Sequence, residues 1–286
     1  LIGLVGSEMC IRDRCLLIAD HKSVDKQIHI FNKNDFSYLT SIGNFGEGPE
    51  EITVMGCLAI DEAHHQLYVS DHAKQKIFSY DMDSVMVDSL YKPQVKTAMN
   101  ETLFPSEYQY INDTLSIAVL IKPTSTSTFN QFLGRWNMNT GEMIPMKYTH
   151  PDIQKKRITF AASEKAGIYV ECYTRHDLMT ICSLDGELLY NIYGPDWDGG
   201  NGNKLQSFGT VMIGNDKIFV SYCGEDYARD SFPTKILVFD LEGNYLKTLE
   251  TGYKISDCCY DSFNNRIILS LNDVVQFAYL DIDGII

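Results

Sequence analysis

Residues 208–250 read FGTVMIGNDKIFVSYCGEDYARDSFPTKILVFDLEGNYLKTLE, a stretch that resolves into four short runs. Phe208 to Ile213, Lys217 to Cys223, Lys235 to Asp240 and Tyr245 to Glu250 are each rich in β-branched and aromatic residues, which suit a pleated, half-buried surface. Asn215-Asp216 and Glu242-Gly243 separate runs with residues that tolerate tight turns. The stretch therefore predicts one unit of four antiparallel strands, A to D. Nowhere in the chain does a window combine a helical period with capping residues.

The end of the third run recurs along the chain as an apolar or aromatic stretch, a small polar residue, an apolar residue and an acidic or amide turn. The copies are Ile28 to Asp35, Ile77 to Ser84, Gly134 to Gly141, Thr180 to Glu187, Leu237 to Asn244 and Ala278 to Ile285. Their last apolar residues before the turn are Phe31, Tyr80, Trp136, Cys182, Phe239 and Leu280, spaced by 49, 56, 46, 57 and 41 residues. A spacing of roughly 50 residues is the size of one four-stranded propeller blade. Six such units predict an all-β chain: a six-bladed β-propeller of four-stranded antiparallel blades, one domain over residues 15–286. The first B strand (Cys15 to Ala19) has its A strand in residues set aside below, and the sixth unit stops at Ile286, so the first and last blades are expected to be incomplete. Exposed sheet edges that could pair with other chains would follow.

The repeat, together with GNFGEGPEEI (Gly43 to Ile52) and YGPDW (Tyr193 to Trp197), resembles the TolB-like six-bladed propeller family of gut bacteria, a relative of NHL-type propellers. The resemblance runs over residues 15–286 and implies the fold and export to the periplasm or cell surface; it implies no activity. The family's Gly-rich segment usually reads G-x-G-P-G-E. Here Gly46, Gly48, Pro49 and Glu51 keep it and Glu50 replaces the later Gly. Residues 4–14, LVGSEMCIRDR, resemble the conceptual translation of a transposase sequencing adapter, and residues 1–14 are set aside as non-native. The other readings of this stretch are a short apolar strand or the remnant of a signal peptide, which lacks a basic segment and a cleavage site.

Composition bounds the partners. The chain has 286 residues, 44% hydrophobic and 22% charged, enough for a sizeable core. Its 24 Lys and Arg against 38 Asp and Glu give a net charge of −14, which repels phosphate backbones and argues against nucleic acid. No apolar stretch is long enough for a transmembrane helix. The chain is expected to be monomeric.

Within a propeller blade the A–B and C–D turns lie on one face, and the B–C loops and D–A crossings on the other. The turns Asn32 to Asp35, Asp81 to Ser84, Ser183 to Gly186, Asp240 to Gly243, Asn112-Asp113 and Asn215-Asp216 read as tight. The long connections Tyr91 to Pro105, Lys122 to Asn130, His150 to Arg157, Pro195 to Gln206 and Gly224 to Thr234 all fall on the other face. Long loops on a rigid scaffold are where function tends to sit. That face is expected to display Glu47, Glu50, Asp71, His72, Arg175, Trp197, Asp226 and Arg229 as ligand-binding residues. Both signs of charge occur among them, which suits a polar or zwitterionic ligand.

The candidate chemistry reads mostly as structural. His64-His65 lie in an A–B turn and are poorly disposed to chelate. His21 and His72 each follow an Asp at a B–C position, where a shared site competes with the favoured role of Asp as turn former. Asp196, Asp198, Asn201 and Asn203 alternate as in a calcium loop, but Ser207 stands where an EF-hand needs Glu. Trp197 reads equally as a lid over the next blade or as a stacking platform for a sugar or peptide. The Gly-rich segment joins strand to strand with no helix behind it, which disfavours phosphate. No nucleophile or zinc-protease motif occurs, and Glu50-Glu51 is most simply a solvated pair.

Eight Cys become seven without Cys10, an odd number with no C-x-x-C pair, so neither disulfides nor zinc are expected. Cys57, Cys182, Cys223 and Cys258 read as buried free thiols, with Cys172 and Cys182 flanking the Arg175-His176 turn, where they could face each other. No cofactor and no metal is called for. The expectation is a non-enzymatic propeller that binds a peptide, glycan or partner protein on its long-loop face. The alternative is a lactonase- or hydrolase-like propeller with a metal at the axial channel mouth, which needs three or more ligands converging on one cation.

Overall fold

The computed structural model describes residues 9–11, 14–88, 90–125, 128–201, 205–226 and 231–286. They form two compact units, one holding Gly6–Pro145 and one holding Met146–Ile286.

Three antiparallel meanders make the Gly6–Pro145 unit. The first is β1 (Met9–Ile11), β2 (Cys15–Ala19), β3 (Lys26–Asn32) and β4 (Tyr38–Asn44). The second is β5 (Met55–Asp61), β6 (Gln66–Asp71), β7 (Lys76–Asp81), the short helix α1 (Met82–Val87) and β8 (Gln94–Ala98). The third is β9 (Phe104–Asn112), β10 (Leu115–Pro123), β11 (Phe129–Trp136) and β12 (Met143–Pro145). The Met146–Ile286 unit repeats the plan. Its sheets are β13 (Ile158–Ser163) to β16 (Leu188–Tyr193) through β14 (Ile168–Tyr173) and β15 (Leu178–Ser183), then β17 (Leu205–Gly214), β18 (Lys217–Asp226), β19 (Lys235–Asp240) and β20 (Tyr245–Glu250). The last sheet has three strands, β21 (Ile255–Asp261), β22 (Arg266–Leu271) and β23 (Phe277–Asp281).

Turn chemistry sets the register. Asn215 and Asp216 adopt φ of 49° and 54°, the paired left-handed conformation of a type I′ hairpin whose twist matches the strands it joins. That turn aligns Gly214 with Lys217 and Ile213 with Ile218. In the fifth sheet, strands C and D have the boundaries read from the sequence, whereas strands A and B each run several residues longer.

The six anchor residues all lie in the third strand of their sheets. Tyr80, Trp136, Cys182 and Phe239 are buried, and Phe31 and Leu280 are partly so. Tyr80 packs with Ile28, Ile30 and Leu67 between the first two sheets. Trp136 packs with Tyr68, Tyr108 and Leu120 between the second and third, with its ring edge-on to Tyr108 at 5.2 Å. Phe239 joins Val170, Ile181 and Val220 between the fourth and fifth. The sheets are thus glued face to face by apolar burial, the main favourable term in folding.

Three readings need correction. The Asp81 to Ser84 turn is not tight: Asp81 caps α1 by accepting from the Ser84 amide at 2.7 Å, and the D strand starts only at Gln94. The expected long loop Tyr91 to Pro105 is accordingly broken up, since β8 occupies its middle. Cys172 and Cys182 do not face each other; Cys172 lies opposite Met179 and Cys182 opposite Tyr169. Furthermore, β1 falls inside the residues set aside as non-native, and it pairs Met9, Cys10 and Ile11 with Ile18, Leu17 and Leu16.

Candidate functional site

In each meander the B–C and D–A connections meet at one end of the sheet. In the Met146–Ile286 unit this end carries an aromatic cluster around Trp197. The half-buried Trp197 ring lies 5.1 Å from Tyr193, 5.4 Å from His150 and 6.1 Å from His176, centroid to centroid. His176 also meets the Tyr173 ring at 6.2 Å. His150 Nε2 and the Tyr193 hydroxyl are 3.0 Å apart.

The loop bearing Trp197 is held from below by Asp177. Its main-chain carbonyl accepts from Gly194 N at 2.8 Å, its carboxylate accepts from Asp196 N at 3.0 Å, and the Tyr222 hydroxyl lies near the same carboxyl. Trp197 N closes the turn by donating to Gly194 O at 3.2 Å. Burial pushes the Asp177 carboxyl above the usual carboxylate range. Burial also holds His176 and His150 below the ordinary imidazole value, with the charges of Asp198 and Asp152 acting the other way. Both rings are therefore neutral near pH 7.

Behind the cluster lies a buried ion pair. Lys156 Nζ and Glu171 Oε1 are 2.6 Å apart with side chains 7% and 1% exposed, and Tyr173 donates to Glu171 Oε2 at 3.2 Å. Of the expected site residues in this unit, Arg175 is half-buried beside His176, and Asp226 is exposed at the end of β18. Arg229 and Asn203 lie outside the described residues. The contributions of His150, Tyr193 and Asp177 are not evident from the sequence; only the R-H-D run at Arg175 to Asp177 and the YGPDW motif hint at them.

In the Gly6–Pro145 unit, Asp71 is fully buried and its carboxylate is taken up by the fold. It accepts from the amides of Thr53, Val54, Ala73 and Lys74 at 2.8 to 3.2 Å. His72 beside it stacks edge-on to Phe104, and its Nε2 is buried with no partner; burial lowers its pKa. The charge of His21 acts on His72 in the same sense, so the two imidazoles are neighbours. Glu47 is exposed, while Glu50 pairs at 2.7 Å with Lys92, a residue of the connection between β7 and β8.

The Gly-rich segment carries its own counterions. Glu51 accepts from the Gly48 amide at 2.8 Å, and the Lys74 ammonium reaches the carbonyls of Gly46, Gly48 and Glu51. A Cβ on Gly46 would stand 2.0 Å from Glu51 Oε2, so a side chain there would have to displace the Glu51 carboxylate from the segment. The amide a phosphate would need is filled by a carboxylate.

At the opposite end of the second and third sheets, a cleft of about 300 Å³ lies between Asp61–His64 and Tyr110–Thr114. His64 Nδ1 donates to Asp61 at 2.8 Å, as does the Tyr68 hydroxyl at 3.1 Å. Tyr110 and Lys96 both bond Asp113 Oδ1, and the ammonium holds the Asp113 carboxyl below the usual carboxylate range. His64, read from the sequence as a solvated turn residue, is thus tied to a buried carboxylate, although its side chain remains 73% exposed. Both carboxylates are engaged by partners within the fold.

Among the described residues no three His, Cys, Asp or Glu side chains come together to hold a metal ion. Cys15, Cys57, Cys172, Cys182, Cys223, Cys258 and Cys259 are all buried. No helix among the described residues is long and apolar enough to cross a membrane.

Six antiparallel meanders stapled by a repeated third-strand anchor define the class: an all-β six-bladed β-propeller. A family model, DUF5128, described as a 6-bladed beta-propeller, matches residues 2–133. No curated protein matches the chain. Among solved structures, a member of the DUF4221 family from Bacteroides vulgatus is similar with a TM-score of 0.66 at 8% identity, covering 96% of this chain and 92% of that one. A protein of unknown function from Bacteroides caccae is similar with a TM-score of 0.55 at 12% identity, covering 94% and 90%. A chain of a nidogen/laminin complex is similar with a TM-score of 0.55 at 11% identity, covering 86% and 79%. At such identities the likeness is one of fold.

Proposed function

We propose that this chain is a non-enzymatic binding or scaffolding propeller that recognises a peptide, glycan or partner protein at the B–C and D–A end of its sheets, around Trp197. One observation carries the reading: a large aromatic ring is held by three ring contacts, and its loop is clamped by the buried Asp177. A rigid amphipathic ring offers contact area at little entropic cost on binding, which is the usual make-up of a recognition anchor. The exposed carboxylates of Asp196 and Asp198 flank it and disfavour polyanions. The nidogen/laminin relative is a propeller-like chain within a protein complex, which accords with the scaffolding part of the reading.

The chain is further proposed to be a monomer and to be exported. Free thiols sit comfortably in an oxidising compartment when buried, because burial raises the Cys172 and Cys258 thiols well above their ordinary value and keeps them from forming thiolate.

The binding reading is tested by screening the purified chain against immobilised glycans and a peptide library, in parallel with Trp197→Ala and His64→Ala. Capture lost with Trp197→Ala and kept with His64→Ala is the expected result. Capture lost only with His64→Ala would move function to the opposite end and overturn the choice of surface.

A further inference from the structure

The hydrogen-bond directions at Trp197 narrow the ligand class; this inference rests on the binding reading above. Asp152 N donates to His150 Nδ1 at 3.3 Å, so the neutral imidazole carries its proton on Nε2. Nε2–H then donates to the Tyr193 hydroxyl oxygen. A hydroxyl that accepts from its neighbour keeps its own proton for another partner, and Tyr193 is 48% exposed, so its O–H is available to donate to a ligand. Asp196 and Asp198 on the same loop are exposed and offer acceptors only, and the charge of Asp198 acts on His176. His176 adds an Nδ1 without a partner, on a residue that is only 7% exposed.

A ligand that uses every group of this corner accepts from Tyr193 and donates to the carboxylates. An ammonium group only donates, and an anion is repelled by Asp196, Asp198 and the net charge of −14. A neutral hydroxyl does both. The Trp197 and Tyr193 rings, 5.1 Å apart and inclined by 55°, are half-buried and exposed respectively and together present apolar ring surface that suits a flat apolar face. We propose that the Trp197–Tyr193 corner binds a neutral saccharide, one sugar ring stacking by its C–H face on Trp197 while its hydroxyls accept from Tyr193 and donate to Asp198. Peptide amides also both donate and accept, and a peptide ligand is an outcome of the test.

The experiment places the chain on an array of neutral oligosaccharides (glucans, mannans and xylans) together with sialylated and uronic-acid glycans and a peptide library, and then titrates the best neutral binder. Binding confined to neutral glycans is expected. Tyr193→Phe, which keeps the ring and removes the O–H, should weaken that binding roughly tenfold, the worth of one hydrogen bond, with unchanged circular dichroism. Asp198→Asn, a surface change that spares the fold, should weaken it several-fold. Trp197-dependent capture of peptides with a silent glycan array would overturn the saccharide assignment and leave the binding reading standing. Equal affinity of Tyr193→Phe and wild type, or a preference for acidic glycans, would overturn the assignment, and silence on both array and library would overturn both.

Discussion

A Cβ placed on Gly194 would stand 2.1 Å from a carboxylate oxygen of Asp177, so the loop that carries Trp197 presses its backbone directly onto a buried acid. Such proximity is possible only for glycine, and it lets one carboxylate and one carbonyl of the same residue bind consecutive parts of the loop. Gly194→Ala should therefore push the loop outward and destabilise the chain by about 1–3 kcal/mol, as overpacking does. In a Trp136→Phe background, Trp197 emission should move to longer wavelength. Unchanged emission together with an unchanged melting temperature would show that something other than Asp177 holds the loop.

The anchors make a second prediction. Trp136 is 1% exposed and Phe239 6%, each wedged between neighbouring sheets. Replacing either by Ala leaves a cavity that packed neighbours fill only in part, and should cost about 3–5 kcal/mol. Chemical denaturation reads this directly, and a loss within experimental error for both would undo the alignment of the repeat.

These anchors were legible because the third strand of every sheet ends in the same chemistry, an apolar residue followed by a turn former. The short helix α1 was not. Asp81 bonding the Ser84 amide is the local interaction of both a tight turn and a helix cap, and only the burial of Met82 and Val85 against the first two sheets decides between them. At the candidate site, Trp197 stands out from its motif, whereas His150, some fifty residues away, meets it only through the path of the chain between β12 and β13. Asp71 shows the reverse. Its place in a B–C connection suggests a displayed carboxylate, and four backbone amides claim it instead.

The Lys156–Glu171 pair yields a third prediction. With both side chains buried, removing the ammonium strands a buried carboxylate whose other oxygen accepts from the Tyr173 hydroxyl. Lys156→Met alone should destabilise by about 3–5 kcal/mol, and adding Glu171→Gln should recover a substantial part, because a neutral amide is less costly to bury than an unpaired charge. A double variant no more stable than the single one would mean that the pair contributes through packing rather than charge.

Acid should weaken the fold in a window set by imidazoles. Burial lowers His72, His150 and His176 below their unfolded value of about 6.5. As pH falls below that value the unfolded chain takes up protons that the folded chain refuses, so stability rises with pH across the window and is lost on acidification. The loss begins near pH 6.5 and stops growing once the folded rings protonate. Urea midpoints at pH 7.5 and 5.5 should differ in that direction, and His72→Phe, which replaces a ring whose Nε2 has no partner, should shrink the difference. A midpoint that rises on acidification would contradict the burial of these rings.

The strand β1 sets the adapter-like reading of residues 1–14 against the pairing seen in the fold. Met9, Cys10 and Ile11 lie opposite Ile18, Leu17 and Leu16, and Leu17 is fully buried in the first sheet. Removing residues 1–14 would strip a neighbour from β2 and leave its backbone groups as an unpaired edge, which costs stability and invites pairing with other chains. The truncated chain should therefore melt several degrees lower and show some self-association in sedimentation. Should the truncated chain instead melt with the full chain and stay monodisperse, β1 would contribute nothing to the fold, and residues 1–14 would be better read as the foreign segment that their sequence resembles.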